Sequence, residues 1–242
     1  MAARRTRADN QTAVLSGEAQ PQPIEFDVIW DASTPMWNLG GEANRNMDTQ
    51  PVWNVHLEQA GIVRGHVRYE GELITFDGVG YRDHSIGPRD LSTGLHHTWM
   101  QASFPESQRH FGLLTLSFRN TDYVALSGFS SVAGKLSEAK VLEYPVWPEG
   151  EPLYEPGRFT VAMETDTGAV TVEAQLLDPS FYFTAAAPSE IHLGYRSVLT
   201  PNRGEVWACR EVMCRYTVDG EVGYGFLEIS RRHPAGVEEG SP

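Results

Sequence analysis

The chain has 242 residues, of which 40% are hydrophobic and 21% charged, and its formal net charge is -13. This composition is typical of a folded globular protein, and the length is sufficient for a substantial core. The negative charge disfavours nucleic acid as a partner, because phosphates repel an acidic surface. No apolar run approaches the ~20 residues that cross a bilayer, and no apolar segment follows the basic N-terminus. We therefore expect a cytoplasmic protein without a membrane span.

Short alternating segments, separated by turn-forming residues, run through most of the chain. Residues 1–23 are polar and aperiodic, which predicts a disordered tail, and residues 24–51 contain one alternating strand and a long loop. From residue 52 to residue 230, alternation recurs between Gly, Pro, Asn and Asp, without an apolar repeat of 3.6. Residues 231–242 have little apolar content and are predicted to be a second disordered tail.

Turn signals in the central part of the chain predict three hairpins. The turns are Glu70-Gly71, residues 165–168 and Asp219-Gly220, the last a type I′ signal. Further strands are predicted over residues 95–103, 111–118, 123–129 and 190–199. So many short antiparallel strands must close into a barrel or stack as a strongly curved sandwich, because an open sheet leaves unpaired edges. The pattern therefore predicts an all-β barrel with little helix over residues 52–230.

Chemically active residue types cluster in residues 78–90, GVGYRDHSIGPRD. The three glycines and the proline predict a loop that interrupts the sheet. A histidine beside a carboxylate can transfer protons near neutral pH, which makes Asp83 and His84 the candidate catalytic pair. Neighbouring residues on a strand point to opposite faces, so Asp90 is an alternative partner for His84.

A purely structural role is the alternative for the same segment. Arg82 and Arg89 can form ion pairs with the aspartates and so hold an irregular loop, while His84 binds backbone carbonyls. In the next predicted strand, His96 and His97 precede Trp99, and one of the two histidines could face the same cavity as the loop.

Metal, redox and nucleotide sites are not predicted. A zinc site would require a third ligand such as His56, His84 or His110, and no recognised metal spacing occurs. Cys209 and Cys214 are five residues apart on one predicted strand, hence on opposite faces, and are expected to be core thiols. The chain also lacks the GxSxG, GxxxxGK[ST], GxGxxG and HExxH motifs of common hydrolases, nucleotide-binding proteins and metalloproteases.

The segment GVGYRDHSIGPRD, followed by HHTWMQASF, resembles the AttH-like and carotenoid-hydratase-like lipocalin superfamily. Its uncharacterised bacterial members have an R-D-H-S-x-G-x-R pattern, which residues 82–89 match. The superfamily typically has two consecutive lipocalin-like barrels, so the resemblance implies a complete second barrel here and, in residues 24–51, a remnant of the first. A homodimer is one way in which the missing half could be replaced.

The resemblance also implies an apolar pocket that needs no cofactor, used in the superfamily for hydrating isoprenoid double bonds or, in fungal relatives, for pericyclic cyclisation. Asp83 and His84 would then be catalytic. Substrate-binding residues would be Tyr81, Arg82, Arg89, His97 and Trp99. The first hypothesis is accordingly a cofactor-independent hydratase, lyase or isomerase-cyclase for a terpenoid, steroid-like or polyketide substrate. A non-catalytic carrier of such a hydrophobic small molecule is the second, and a partner-binding β-sandwich without a cavity is the third.

Overall fold

A computed structural model describes residues 6–9, 23–38, 55–86, 94–118, 124–146, 157–177, 181–185 and 205–234. The described part of the chain is all β, with no helix and therefore no helix that could cross a membrane. Its strands are β1 (Thr6–Asp9), β2 (Pro23–Ala32), β3 (Trp37–Asn38), β4 (Val55–Tyr69), β5 (Glu72–Ile86), β6 (Gly94–Phe104), β7 (Arg109–Phe118), β8 (Val124–Val132), β9 (Lys135–Glu143), β10 (Arg158–Thr165), β11 (Gly168–Leu176), β12 (Phe181–Ala185), β13 (Glu205–Val218) and β14 (Glu221–Pro234).

Eight of these strands form a closed antiparallel barrel. Their order is β11-β10-β9-β8-β7-β6-β14-β13, and pairing between β11 and β13 closes the circle. Strand β12 pairs with residues 207–211 of β13. Closure removes the unpaired edges that an open sheet of this size would expose. The predicted all-β, antiparallel barrel is therefore confirmed.

The barrel interior is filled by side chains from one face of each strand. Large, fully buried members include Met100, Phe104, Leu113, Met163 and Tyr216. Burying one Leu, Met or Phe side chain contributes roughly 1.5–3 kcal/mol to the stability of the fold. Side chains of the described residues thus pack together inside the barrel.

An open sheet of five strands, β1 to β5, packs against the outside of the barrel. In this sheet β4 pairs with β2 and β3 on one side and with the whole of β5 on the other. A second apolar cluster lies between the two layers and includes Trp37, Leu114, Leu116 and Phe129. Strand β7 is thus buried on both faces, which explains its nearly continuous apolar sequence.

The turn signals identified the hairpins correctly. Glu70-Gly71 joins β4 to β5, and Asp219-Gly220 joins β13 to β14. All four turn residues have positive φ, between 49° and 83°, as a type I′ turn requires. The hairpin formed by β10 and β11 is also present. The strand predicted over residues 190–199 lies outside the described residues.

Some boundaries differ from the sequence prediction. The β4–β5 hairpin lies in the open sheet, so the barrel strands run from Gly94 to Pro234 instead of starting near residue 52. Residues 6–9, within the predicted N-terminal tail, pair with β2, and β14 continues four residues past position 230. Alternation predicts a strand but not its sheet, because sheet membership depends on pairing between distant segments.

The prediction of a loop at the start of residues 78–90 is wrong. Residues 78–86 continue β5 and pair with β4 throughout. The glycines there serve close packing: Gly80 pairs with Gly61, and the Trp30 indole lies against both. A glycine in a strand often marks such a close approach, which composition alone does not distinguish from a turn. Residues 87–90 lie outside the described part of the chain.

Gly80→Ala is expected to destabilise the fold by about 1–3 kcal/mol, because the added Cβ would overlap the stiff side chain of Val63. Gly78→Ala is the matched control on the same strand, since no atom lies within 4 Å of the position that its methyl group would take. Urea unfolding of both variants checks the difference. Equal stability of the two variants would contradict this account of the glycine pair.

Candidate active site

The β4–β5 hairpin presents four ionisable side chains to the barrel. On β4, His56 and Glu58 point inward and are buried, whereas Leu57 between them is only half-buried. On β5, Tyr81 and Asp83 lie on the same face, since Asp83 is the register partner of Glu58. Alternation along two paired strands therefore places these groups together.

The carboxyl group of Glu58 is the centre of this cluster and is fully buried. The Tyr81 hydroxyl donates to Glu58 Oε2 at 2.6 Å, and the Gln101 amide on the barrel strand β6 donates to the same oxygen. His56 Nε2 lies 3.4 Å from Glu58 Oε1. Groups from both layers thus converge on one carboxyl.

The pKa of Glu58 is raised to about 8: burial raises it most, and the nearby Asp83 carboxylate also raises it, whereas hydrogen bonds from Tyr81, Trp99 and Gln101 lower it. Burial and the adjacent Glu58 likewise raise the pKa of Tyr81 well above its usual value. Glu58 is therefore mostly protonated near neutral pH. A carboxylic acid held in this state can donate a proton.

His56 connects Glu58 to the protein surface. Its Nε2 is 2.8 Å from Asp83 Oδ1, while the side chain itself is only 7% exposed. The Asp83 carboxylate is 37% exposed and also accepts a hydrogen bond from Ser85. The imidazole therefore lies between a buried acid and a carboxylate in contact with water.

A cleft of about 600 Å³ lies beside this cluster, between the open sheet and the outer face of the barrel. Tyr81, Trp99 and Gln101 line it, so the groups that hold Glu58 also face the cleft. Other lining side chains are mainly apolar: Val63, Phe76, Val79, Met213, Tyr224 and Phe226. This volume and lining are typical of sites for hydrophobic small molecules.

A hydrogen-bonded serine forms part of the same cleft wall. Ser103 lines the cleft, and its hydroxyl lies 3.0 Å from His110 Nδ1, whose other ring nitrogen is 3.3 Å from the Ser33 hydroxyl. Burial lowers the pKa of His110 to about 4, so the imidazole is neutral. The pair offers a fixed polar contact to a ligand.

The structure brings together some of the residues that the sequence singled out. Tyr81 and Trp99 line the cleft with ring centroids 6.1 Å apart, and Asp83 lies on the face that holds Glu58. His84 and Arg82 are exposed on the opposite face of β5, so Asp83 does not orient His84. The catalytic role of His84 and the substrate-binding role of Arg82 stay predictions. Arg89 and Asp90 lie outside the described residues.

His97 lies on the same outer face of β6 as Trp99, but it contacts a different group. Its Nδ1 is 3.0 Å from Glu228 Oε1, and the ligand atoms of Cys209, Glu211 and Glu228 all lie within 4.8 Å of one another. Burial raises the pKa of the Cys209 thiol and of Glu211, with Glu228 adding to both effects. His97 remains a predicted ligand-binding residue beside the cleft.

Sequence reasoning did not identify Glu58 or assign an acid–base role to His56. The available signal was the alternation of residues 56–60, HLEQA, which places histidine, glutamate and alanine on one face. An isolated glutamate in a strand is usually solvated. Only the barrel packed over this face turns it into a buried acid.

Among solved structures, the chain is similar to an AttH-like protein from Nitrosomonas europaea and to kievitone hydratase from Nectria haematococca. The TM-score is 0.50 in both cases, with 14% and 12% identity over 93% and 94% of this chain. The chain spans 64% of the length of each of these two structures. At this identity the likeness shows the fold alone, and it agrees with the predicted lipocalin-like architecture.

No curated protein matches the sequence significantly. A family model does match, over residues 2–233, and it therefore includes both the open sheet and the barrel that enclose the cleft. The chain accordingly belongs to the family described as "Domain of unknown function (DUF7064)".

Proposed function

We propose that this protein is a cofactor-independent acid–base enzyme, of the hydratase/lyase or isomerase-cyclase type, acting on a hydrophobic small molecule in the cleft between sheet and barrel. The observation that carries the proposal is the buried, protonated Glu58, hydrogen-bonded to the cleft-lining Tyr81. Terpenoids, steroid-like compounds and polyketides have the size and apolar character that this cleft suits.

Hydration or cyclisation of an alkene needs a proton donor and an apolar surface around the developing cation. Tyr81 lines the cleft and is the proposed proton donor, and Glu58 can replace its proton across the 2.6 Å contact between the hydroxyl and Glu58 Oε2. Trp99 and Phe226, with ring centroids 5.1 Å apart, provide aromatic faces on the opposite wall. Aromatic faces stabilise nearby positive charge.

The similarity to kievitone hydratase supports a hydratase only as an analogy, because the shared property is the fold. The finer assignment, to a bacterial branch with the pattern matched by residues 82–89, is likewise part of this proposal. A homodimer that adds to the open sheet also remains a proposal.

A carrier of the same class of ligand is the second candidate. It is favoured by the apolar lining of the cleft, which would bind a hydrophobic molecule without any chemistry. In that case Tyr81 would only provide a polar contact to the ligand, and Glu58 would only hold the Tyr81 hydroxyl. Binding and turnover therefore have to be measured separately.

The test is a panel of isoprenoid alcohols, polyenes, steroids and prenylated polyketides offered to the purified full chain. We expect saturable quenching of tryptophan fluorescence by at least one compound, and conversion of that compound to a product of altered mass or retention time. Gly78→Leu, which adds a bulky side chain to a residue that lines the cleft, should abolish both signals. Saturable binding without turnover across the panel would favour the carrier.

A further inference from the structure

Four groups in the site form a continuous chain between water and the cleft. From Asp83 Oδ1 to His56 Nε2 the distance is 2.8 Å, and from His56 Nε2 to Glu58 Oε1 it is 3.4 Å. Tyr81 then contacts the second oxygen of Glu58 at 2.6 Å. The Tyr81 contact is a hydrogen bond, and the two contacts of His56 are close approaches between a ring nitrogen and carboxylate oxygens.

The solvent exposure of the four side chains decreases from Asp83 to Glu58, and the last residue, Tyr81, lines the cleft. The Asp83 side chain is 37% exposed, that of His56 7% and that of Glu58 0%, whereas Tyr81 opens into the cleft. Water can therefore reach one end of the chain and a substrate the other. The buried middle has access to solvent protons only through its neighbours.

The other contacts of Glu58 cannot supply protons. Gln101 and Trp99 carry N–H donors that do not ionise in this pH range, so they can orient the carboxyl but cannot replace a proton that it has given away. His56 Nε2 lies between Asp83 Oδ1 and Glu58 Oε1, so this one nitrogen can take up a proton from the Asp83 side and pass it to the Glu58 carboxylate.

We propose that Asp83, His56, Glu58 and Tyr81 form a proton relay, which reloads the acid of the cleft from bulk water. The proposal rests on the proposed function and identifies how its acid is regenerated. In this relay Asp83 positions His56 and receives protons from bulk water, and His56 transfers them to Glu58.

The relay accounts for every proton in an addition of water. Tyr81 gives its proton to a substrate carbon, where a new C–H bond forms, while protonated Glu58 gives its proton to the phenol oxygen in the same step, so the phenolate that the raised pKa of Tyr81 disfavours is never formed. Water attacks the resulting cation, forms the C–O bond and releases its second proton to solvent. His56 then passes one proton from the Asp83 side to the Glu58 carboxylate, which restores the starting state. Elimination of water follows the same path in reverse.

The test follows the carboxyl proton itself and needs no substrate. The infrared C=O band of protonated Glu58, assigned by its loss in Glu58→Gln, shifts when the full chain is mixed rapidly into D2O. We expect His56→Gln and Asp83→Asn to slow this exchange by about tenfold or more, in keeping with the contribution of a positioned proton-transfer group. Asp83→Asn alters a partly exposed side chain and keeps the test valid if His56→Gln does not fold.

His66→Gln on β4 and Glu72→Gln on β5 are the matched controls and should exchange at the wild-type rate. Unchanged exchange in folded His56→Gln or Asp83→Asn protein would overturn the relay. With a turned-over substrate, His56→Gln should lower kcat more than it changes KM, and added imidazole should restore part of the rate. Slowed exchange in the variants, without turnover of any compound by the wild type, would support the relay and contradict the proposed enzymatic function. Turnover together with unchanged exchange would support the enzymatic function and contradict the relay.

Discussion

Glu58→Gln is expected to lower kcat by about 10²-fold or more on any substrate that the wild-type protein turns over, because a positioned general acid typically contributes that much. The amide is nearly isosteric with the protonated carboxyl and can keep the hydrogen bond from Tyr81. Glu58 is not among the side chains that line the cleft, so the ligand Kd should change little. Steady-state kinetics and fluorescence titration measure the two quantities.

Two further variants make this result decisive. Tyr81→Phe removes the hydroxyl that contacts Glu58 and should show a comparable loss of kcat with retained folding. His84→Ala tests the residue that sequence reasoning favoured, and its exposed position on the outer face of β5 leads us to expect an active enzyme. A fully active Glu58→Gln protein would refute the assignment of the acid, and an inactive, folded His84→Ala protein would return the role to His84.

The second large effect is on stability as a function of pH. The carboxyl of Glu58 has a pKa of about 8 in the folded protein, against an ordinary value of 4.5. Between these values the folded state binds more protons than the unfolded state, so the free energy of unfolding falls as pH rises. At about 1.4 kcal/mol per pKa unit, the loss between pH 4.5 and 8 is up to roughly 5 kcal/mol.

Glu58→Gln removes this titration, so its stability relative to the wild type should increase steadily as pH rises from about 5 to about 8.5. His56, Tyr81 and Asp83 face Glu58 and remain in both proteins, as does His110, whose low pKa has the opposite effect on stability. Urea unfolding at a series of pH values measures the difference, and Glu72→Gln, on an exposed carboxylate, is the control. A constant difference between wild type and Glu58→Gln would show that Glu58 is ionised in the folded protein.

The sequence predicted strands and turns reliably where they depend on local patterns. Alternation and the turns at residues 70–71 and 219–220 predicted β4, β5, β13 and β14, because period-2 side-chain placement and positive φ are local properties of the chain. The opposite faces of Cys209 and Cys214 followed from the same period, and both thiols are buried in the structure. The choice of a barrel followed from the need to close so many strand edges.

Predictions from composition were wrong where one residue type can have more than one structural role. The glycines at positions 78 and 80 favoured a loop, yet both lie within β5, and Gly80 makes room for the Val63 side chain on the neighbouring strand β4. Likewise, the Asp-His pair at positions 83 and 84 attracted a catalytic interpretation, although a strand separates adjacent side chains onto opposite faces.

The sequence by itself therefore determined that the chain is an acidic all-β protein, where most of its hairpins turn, and that Tyr81, Asp83 and Trp99 were candidate site residues. Only the tertiary structure decided that the β4–β5 hairpin packs on the outside of the barrel and that Glu58 becomes a buried acid beside a cleft. The physical reason is that turns and alternation depend on neighbours in sequence. The pKa of a carboxyl depends on burial and charges, and Glu58 acquires these from strands β5 and β6 only after folding.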